Sequence, residues 1–156
     1  MNKNKTYHVA YPYFSPNDIK WITEKIPSIL NGRLSTGPYT KEFEDKFAKF
    51  IGTKYAVFLN SCTSALEIST SYLNLSPSDE VIVPAETFIA TGMAVTNNNG
   101  KVVFAEIDNE TFCLSLNEIK KLKTNNTKAI MLVHFGGYVS TDAIEIRDYC
   151  KQNKIY

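Results

Sequence analysis

The chain of 156 residues is first characterised by what it lacks. Its three cysteines, Cys62, Cys113 and Cys150, are an odd number without C-x-x-C spacing, which argues against a disulfide framework and against a metal site. Each reads as a reduced, small, semi-apolar residue. Nowhere do 18 or more apolar residues run together, and the start, MNKNKTYHVAYPYF, has no apolar signal-peptide core. No membrane span and a cytoplasmic location are therefore expected. Seventeen basic against sixteen acidic residues leave a formal charge of +1, with no dense Lys/Arg tract. The electrostatic footprint of a nucleic-acid or acidic-membrane binder is missing, and small neutral or mixed-charge partners remain. Also absent are G-x-G-x-x-G, a Walker lysine and a G-x-S-x-G elbow, which removes the dinucleotide, nucleoside-triphosphate and serine-hydrolase fingerprints. There is no internal repeat or low-complexity tract.

What is present is ordinary globular composition, 44% hydrophobic and 21% charged. In SPNDIKWITEKIPSIL, Ser15 is placed to cap a helix, Pro16 suits its first position, and Ile19, Ile22, Ile26 and Ile29 share one face. The turn-rich NGRLSTGP follows. Tyr39, Phe43, Phe47 and Phe50 then recur at helical spacing up to a stop at Gly52, a stripe expected to be core. From Tyr55 the pattern changes to short apolar runs, predicting strands at 55–59, 80–84, 101–107 and 129–134, and a last one beginning at 154–156. Helices are predicted over 62–74, 88–97, 116–123 and 142–152, the third with a capping box, Ser115 to Glu118. Apolar strands alternating with helices imply an α/β fold of three layers with a largely parallel sheet.

In such sheets ligands bind beyond the carboxyl ends of the strands. The segments to question are Asn60–Ser64, Pro84–Phe88, Asp108 and His134–Gly137, which should converge. SCTSAL, after a strand and at a helix start, offers unpaired backbone N–H groups near Thr63 and Ser64 together with hydroxyls, the donor set a phosphate needs. A plain helix cap uses the same residues. Phe88 could stack on a flat heteroaromatic ligand or simply pack. His134 precedes two glycines that let backbone approach a ligand, and Asp108 suits a turn. Asp79 and Glu80, adjacent before a strand, would point to opposite sides and make a poor acid–base pair.

Taken jointly and in order, GPYTKEFEDKFAKFIGTKYAVFLNSCTSAL, SPSDEVIVPAETFIATGMAV, GKVVFAEIDNETFCLSLNEI and TKAIMLVHFGGYVSTDAIEI resemble the DegT/StrS-type sugar aminotransferases, fold-type I pyridoxal-phosphate enzymes. With 1–36 expected to be an N-terminal helix and a turn-rich entry segment, the resemblance implies that 37–156 is the N-terminal part of the cofactor-binding large domain. It implies pyridoxal 5'-phosphate as cofactor, with Thr63 and Ser64 binding its phosphate and Phe88 stacking on its ring. Cys62 stands where the family usually has glycine, inside the same cradle, and His134 with Gly136 matches a strand-end motif counted among the cofactor contacts. No metal is implied. The implied reaction moves an amino group from an amino acid, glutamate, to a nucleotide-linked keto-sugar for polysaccharide biosynthesis, in a homodimer.

The family's ring-nitrogen acid and its Schiff-base lysine have no counterpart before Tyr156, so a fragment is expected, inactive on its own, with no catalytic residue assigned. Lys101 and Lys128, at strand beginnings, lie at the wrong end of the sheet. The rival expectations are a sugar dehydratase of the same fold and a non-catalytic remnant or binding subunit.

Overall fold

The computed structural model describes residues 12–32 and 34–156. Residues 1–11 of the expected entry segment, and Arg33 in its turn-rich part, lie outside the described residues. The chain forms two compact units, dividing between Phe58 and Leu59.

In the first unit, α1 spans Pro16–Leu30 and α2 spans Pro38–Ile51. Ser15 caps α1 as its sequence predicts. Its hydroxyl accepts from the Asp18 N–H while the Asp18 carboxylate accepts from the Ser15 N–H, and Pro16 occupies the first position without wasting a donor. Gly52 ends α2 in the left-handed conformation at φ 80°. The aromatic stripe, however, is not a core. Phe43 stacks on Phe47 at 5.6 Å and meets Phe58 edge-on at 5.4 Å, yet all three remain about half exposed, and Phe50 is 84% exposed. Two helices and one extended run offer a single facing surface, too little to enclose a phenyl ring. Residues 55–58 of the first predicted strand, in this unit, make no ladder. The Phe58 N–H goes instead to the Glu44 carboxylate at 2.9 Å, and without a neighbouring strand a β-run has nothing to pair with.

The second unit contains α3 (Cys62–Tyr72), β1 (Glu80–Pro84), α4 (Ala90–Asn97), β2 (Lys101–Ala105), α5 (Leu116–Leu122), β3 (Thr127–Ile130), a 3-10 turn (Phe135–Gly137) and α6 (Ala143–Asn153). The strands are parallel in the order β2-β1-β3. β1 is central and buried along its whole length. Its alternation feeds two cores. Val81 and Val83 pack with Leu75, Val95 and Ala129 on one face. On the other, Ile82 packs with Ala105, Leu114, Ile119 and Ile146 from β2, the following loop, α5 and α6. A side chain such as Ile82, fully enclosed, contributes about 1.5–3 kcal/mol relative to exposure. Helices thus cover both faces of the sheet, which is the three-layer α/β arrangement the strand pattern implies, and α3 lies on α4. The α3–α4 contact is pinned by the Glu67 carboxylate, which accepts from the Asn97 amide at 2.7 Å and the Asn98 amide at 3.1 Å.

The register extends beyond the named strands. The Met131 N–H reaches the Ile82 carbonyl at 2.9 Å, continuing β3 toward His134. On the far side of β3, the Tyr156 N–H donates to the Lys128 carbonyl and its own carbonyl accepts from the Ile130 N–H, so the last predicted run begins a third parallel pairing. The predicted capping box of α5 is half formed. The Ser115 hydroxyl accepts from the Glu118 N–H, but the Glu118 carboxylate pairs with Lys121 rather than with the Ser115 N–H, and the Asp142 carboxylate caps the Leu116 N–H at 2.9 Å. At the beginning of β1 the Glu80 carboxylate is held by the Lys101 ammonium at 2.9 Å and the Thr124 hydroxyl at 2.5 Å. These hydrogen bonds, Thr124 first, keep Glu80 below the usual glutamate range. Lys101 is thereby committed to the end of the sheet opposite the strands' carboxyl termini. Among the described residues no helix is long and apolar enough to cross a membrane.

Candidate active site

Beyond the carboxyl ends of β1 and β3 lies a cavity of about 560 Å³. Three segments far apart in sequence supply its walls: the start of α3, the residues after β1, and the residues from Met131 to Gly136 after β3. This volume falls within the range of small-molecule sites. Parallel strands place their following loops on one side of a sheet, which is why these segments meet.

At the first wall, Ser61 is the N-cap of α3, extended at φ −159° and ψ 158°. Its hydroxyl accepts from the Ser64 N–H at 3.1 Å, and the Ser64 hydroxyl donates to the Asn60 carboxamide at 2.8 Å. The Ala65 N–H takes the first helical bond, to the Ser61 carbonyl. That leaves the N–H groups of Cys62 and Thr63 without a protein acceptor among the described residues, and both residues line the cavity. Ser64, named with Thr63 from the sequence, is internally satisfied and stands off the wall. The available pair of donors is thus one residue earlier than Thr63 and Ser64, because the cap consumes the third N–H of the turn. No Asp, Glu, Lys or Arg lines the cavity among the described residues, so the positive end of α3 and its two N–H groups attract an anion there.

At the second wall, Phe88 follows β1 and stays 74% exposed, an arrangement hydrophobic burial alone does not explain. Beside it the Thr87 hydroxyl, in the bend before α4, lies 2.9 Å from the hydroxyl of Thr91 in that helix, and Thr91 is buried. At the third wall, His134 ends the extension of β3. Its Nδ1 accepts from the Ser140 N–H at 3.2 Å. The turn that follows needs glycine at both positions, φ 59° at Gly136 and 86° at Gly137. An added Cβ would meet nothing within 4 Å, so backbone conformation rather than close approach sets the requirement.

Of the four strand-end clusters, three converge. Asp108 does not line the cavity: its carboxylate accepts from the Thr111 N–H at 2.8 Å, the Thr111 hydroxyl and the Glu110 N–H, and these bonds hold it below the usual carboxylate range. It builds a turn. Sequence reasoning passed over Thr91, which its i+4 relation to Thr87 could have suggested, and Ser140, for which no sequence signal exists.

The donors, the exposed phenyl and the cavity size fit a flat, phosphorylated heteroaromatic group: two N–H groups at a helix start for the phosphate and a ring face for the heterocycle. Comparison with known proteins agrees. The chain is 36% identical over 137 residues to the spore coat polysaccharide biosynthesis protein SpsC of Bacillus subtilis, covering 88% of this chain and 34% of that protein. It is 34% identical over 149 residues to the GDP-perosamine synthase of Vibrio cholerae, covering 95% of this chain and 40% of the relative. Its structure matches that of ntda from Bacillus subtilis, solved with the cofactor PMP bound, with a TM-score of 0.83 and 27% identity over 99% of this chain and 37% of that one. The chain therefore spans less than half the length of these relatives. Pyridoxal phosphate is the cofactor of the family they represent. Matching its model over residues 17–156, the chain belongs to the DegT/DnrJ/EryC1/StrS aminotransferase family.

Proposed function

We propose that this chain provides the phosphate cradle and ring platform of a pyridoxal-phosphate-dependent aminotransferase that moves an amino group from glutamate to a nucleotide-linked keto-sugar. The observation that carries this reading is the convergence on one cavity of the unpaired Cys62 and Thr63 N–H groups with the exposed Phe88 ring. The sugar nucleotide, the glutamate donor, the homodimer and the cytoplasmic setting rest on family membership. When bound, the cofactor supplies an electron-withdrawing ring that stabilises negative charge on carbon.

This chain's residues perform the binding half of that chemistry. The Cys62 and Thr63 N–H groups would hold the phosphate at the positive end of α3, Phe88 would stack on the ring, and the side chains from Met131 to Val133 would line the remaining wall. No lysine lines the cavity among the described residues. The 156-residue chain is accordingly read as able to hold the cofactor without turning it over.

The test is a titration of the purified chain with pyridoxal 5'-phosphate, followed by equilibrium dialysis with inorganic phosphate as competitor. Saturable binding relieved by phosphate is expected. Borohydride should fix the cofactor to no single lysine, and adding glutamate with a nucleotide-linked keto-sugar should give no amino transfer. Absence of saturable binding would refute the cradle, and clear turnover would refute the binding-only role.

A further inference from the structure

We infer that His134 binds the ligand of this cavity through a proton held on its Nε2, and that Ser140 is the positioning residue that keeps it there. This rests on the cofactor reading above and goes beyond it by assigning the state of the ring and the residue that sets that state.

A backbone N–H can only donate. Because the Ser140 N–H lies 3.2 Å from Nδ1 of His134 in hydrogen-bonding geometry, Nδ1 must present its lone pair, and the ring proton resides on Nε2. The direction of that N–H is not left to a loose loop. Ser140 is 3% exposed, and its hydroxyl donates to the Leu114 carbonyl at 3.2 Å. Leu114 is itself fully buried and bridges Ile107 just beyond β2. The intervening segment is tied down as well: the Gly137 and Tyr138 N–H groups donate back to the His134 and Phe135 carbonyls. The ring orientation is thus passed from the core through Leu114 and Ser140 to a side chain on the cavity wall.

The Nε2–H of His134 has no protein acceptor among the described residues. Its acceptor is an oxygen of the bound phosphorylated heterocycle, on the phosphate or on the ring. The same arrangement orients imidazole ligands in other sites, where a partner on one nitrogen fixes the donor or lone pair on the other.

The ring state is read first. With two histidines in the chain, long-range proton–nitrogen correlation on a 15N-labelled sample in neutral to mildly alkaline buffer resolves both rings, and His134→Gln assigns the signal. A pyridine-like Nδ1 and a pyrrole-like Nε2 are expected for His134, and the reverse pattern, or an average of the two, overturns the proposal. Ser140→Ala frees the backbone from Leu114 and should shift this signal toward tautomeric averaging; an unmoved signal overturns the role of Ser140.

Affinity for pyridoxal 5'-phosphate is read next. His134→Phe should bind about fivefold more weakly if the acceptor is a neutral oxygen and about 10- to 150-fold more weakly if it is a charged one. His134→Gln, which returns an N–H near the Nε2 position, should restore most of the affinity, whereas His134→Asn should not. Inorganic phosphate and 3-O-methylpyridoxal 5'-phosphate locate the acceptor. A loss shared by inorganic phosphate places it on the phosphate, and a loss abolished by 3-O-methylation places it on the ring. If the unsubstituted chain binds and His134→Phe binds equally well, the role of His134 fails while the cofactor reading stands. If the unsubstituted chain shows no saturable binding, the cofactor reading falls and takes this ligand with it.

Discussion

Replacing Cys62 with proline isolates the cradle's contribution because it deletes one N–H and leaves the fold undisturbed. Cys62 is the first residue of α3, the position where proline's fixed φ matches the helix and its missing donor breaks no helical bond. Proline also forces the residue before it into an extended conformation, and Ser61 is already there at φ −159° and ψ 158°. The folded state should therefore lose nothing, and stability should gain about 0.4–1 kcal/mol from a stiffer unfolded chain. Binding should suffer. A hydrogen bond to a charged group contributes about 1.5–3 kcal/mol, which converts to a cofactor affinity weakened about 10- to 150-fold. Cys62→Ala separates the thiol from the N–H, since it removes only the former, and should change affinity by no more than about twofold. The assay is equilibrium dialysis against pyridoxal 5'-phosphate, with thermal melting of the same samples as the check on folding. A proline variant that melts normally and binds as well as the unsubstituted chain would refute the claim that these N–H groups hold the phosphate.

Three other outcomes are expected. Phe88→Ala should weaken cofactor binding about 2- to 10-fold through loss of stacking worth about 0.5–1.5 kcal/mol, with little change in melting because the ring is mostly exposed, and the same dialysis and melting experiments read both. Gly100→Ala should destabilise the second unit by about 1–3 kcal/mol, measured by denaturant unfolding, since its Cβ would sit 2.5 Å from Leu75 Cδ1 and 2.9 Å from Val95 Cγ1. Glu80, held below its unfolded value by Thr124 and Lys101, contributes stability that is complete above the unfolded glutamate value of about 4.3 and is lost as pH falls through the folded value. Unfolding midpoints measured from pH 6 to pH 3 should drop below about pH 4, less steeply in Glu80→Gln. Asp18, Asp79 and Asp108 are depressed in the same direction by their turn and cap hydrogen bonds and add to the slope.

Much of this molecule is written in local chemistry. The caps at Ser15 and Ser61, the stop at Gly52 and the apolar run EVIVP each act within a few residues, so helices α1 to α6 and strand β1 could be placed from the sequence. The parallel, three-layer arrangement follows from strands apolar on both faces, and the meeting of three strand-end clusters follows from parallelism. Where the reading went astray, the missing information was a partner. Residues 55–59 are as apolar as a strand, but a ladder requires a neighbour, and the stripe from Tyr39 to Phe50 is as apolar as a core, but burial requires a second layer.

The site divides along the same line. From the sequence alone came a helix start with unpaired N–H groups, an aromatic residue after one strand and a histidine at the end of another, because residue type and spacing decide which groups are offered. Only the tertiary structure decided which donors remain available. The Ser61 hydroxyl takes the N–H of Ser64 and leaves those of Cys62 and Thr63, Asp108 spends its carboxylate on its own turn, and buried Ser140 determines which nitrogen of His134 carries the proton. Hydrogen-bonding groups are offered by sequence, but they are allotted by proximity in three dimensions, and what is left over after that allotment is what a ligand can bind.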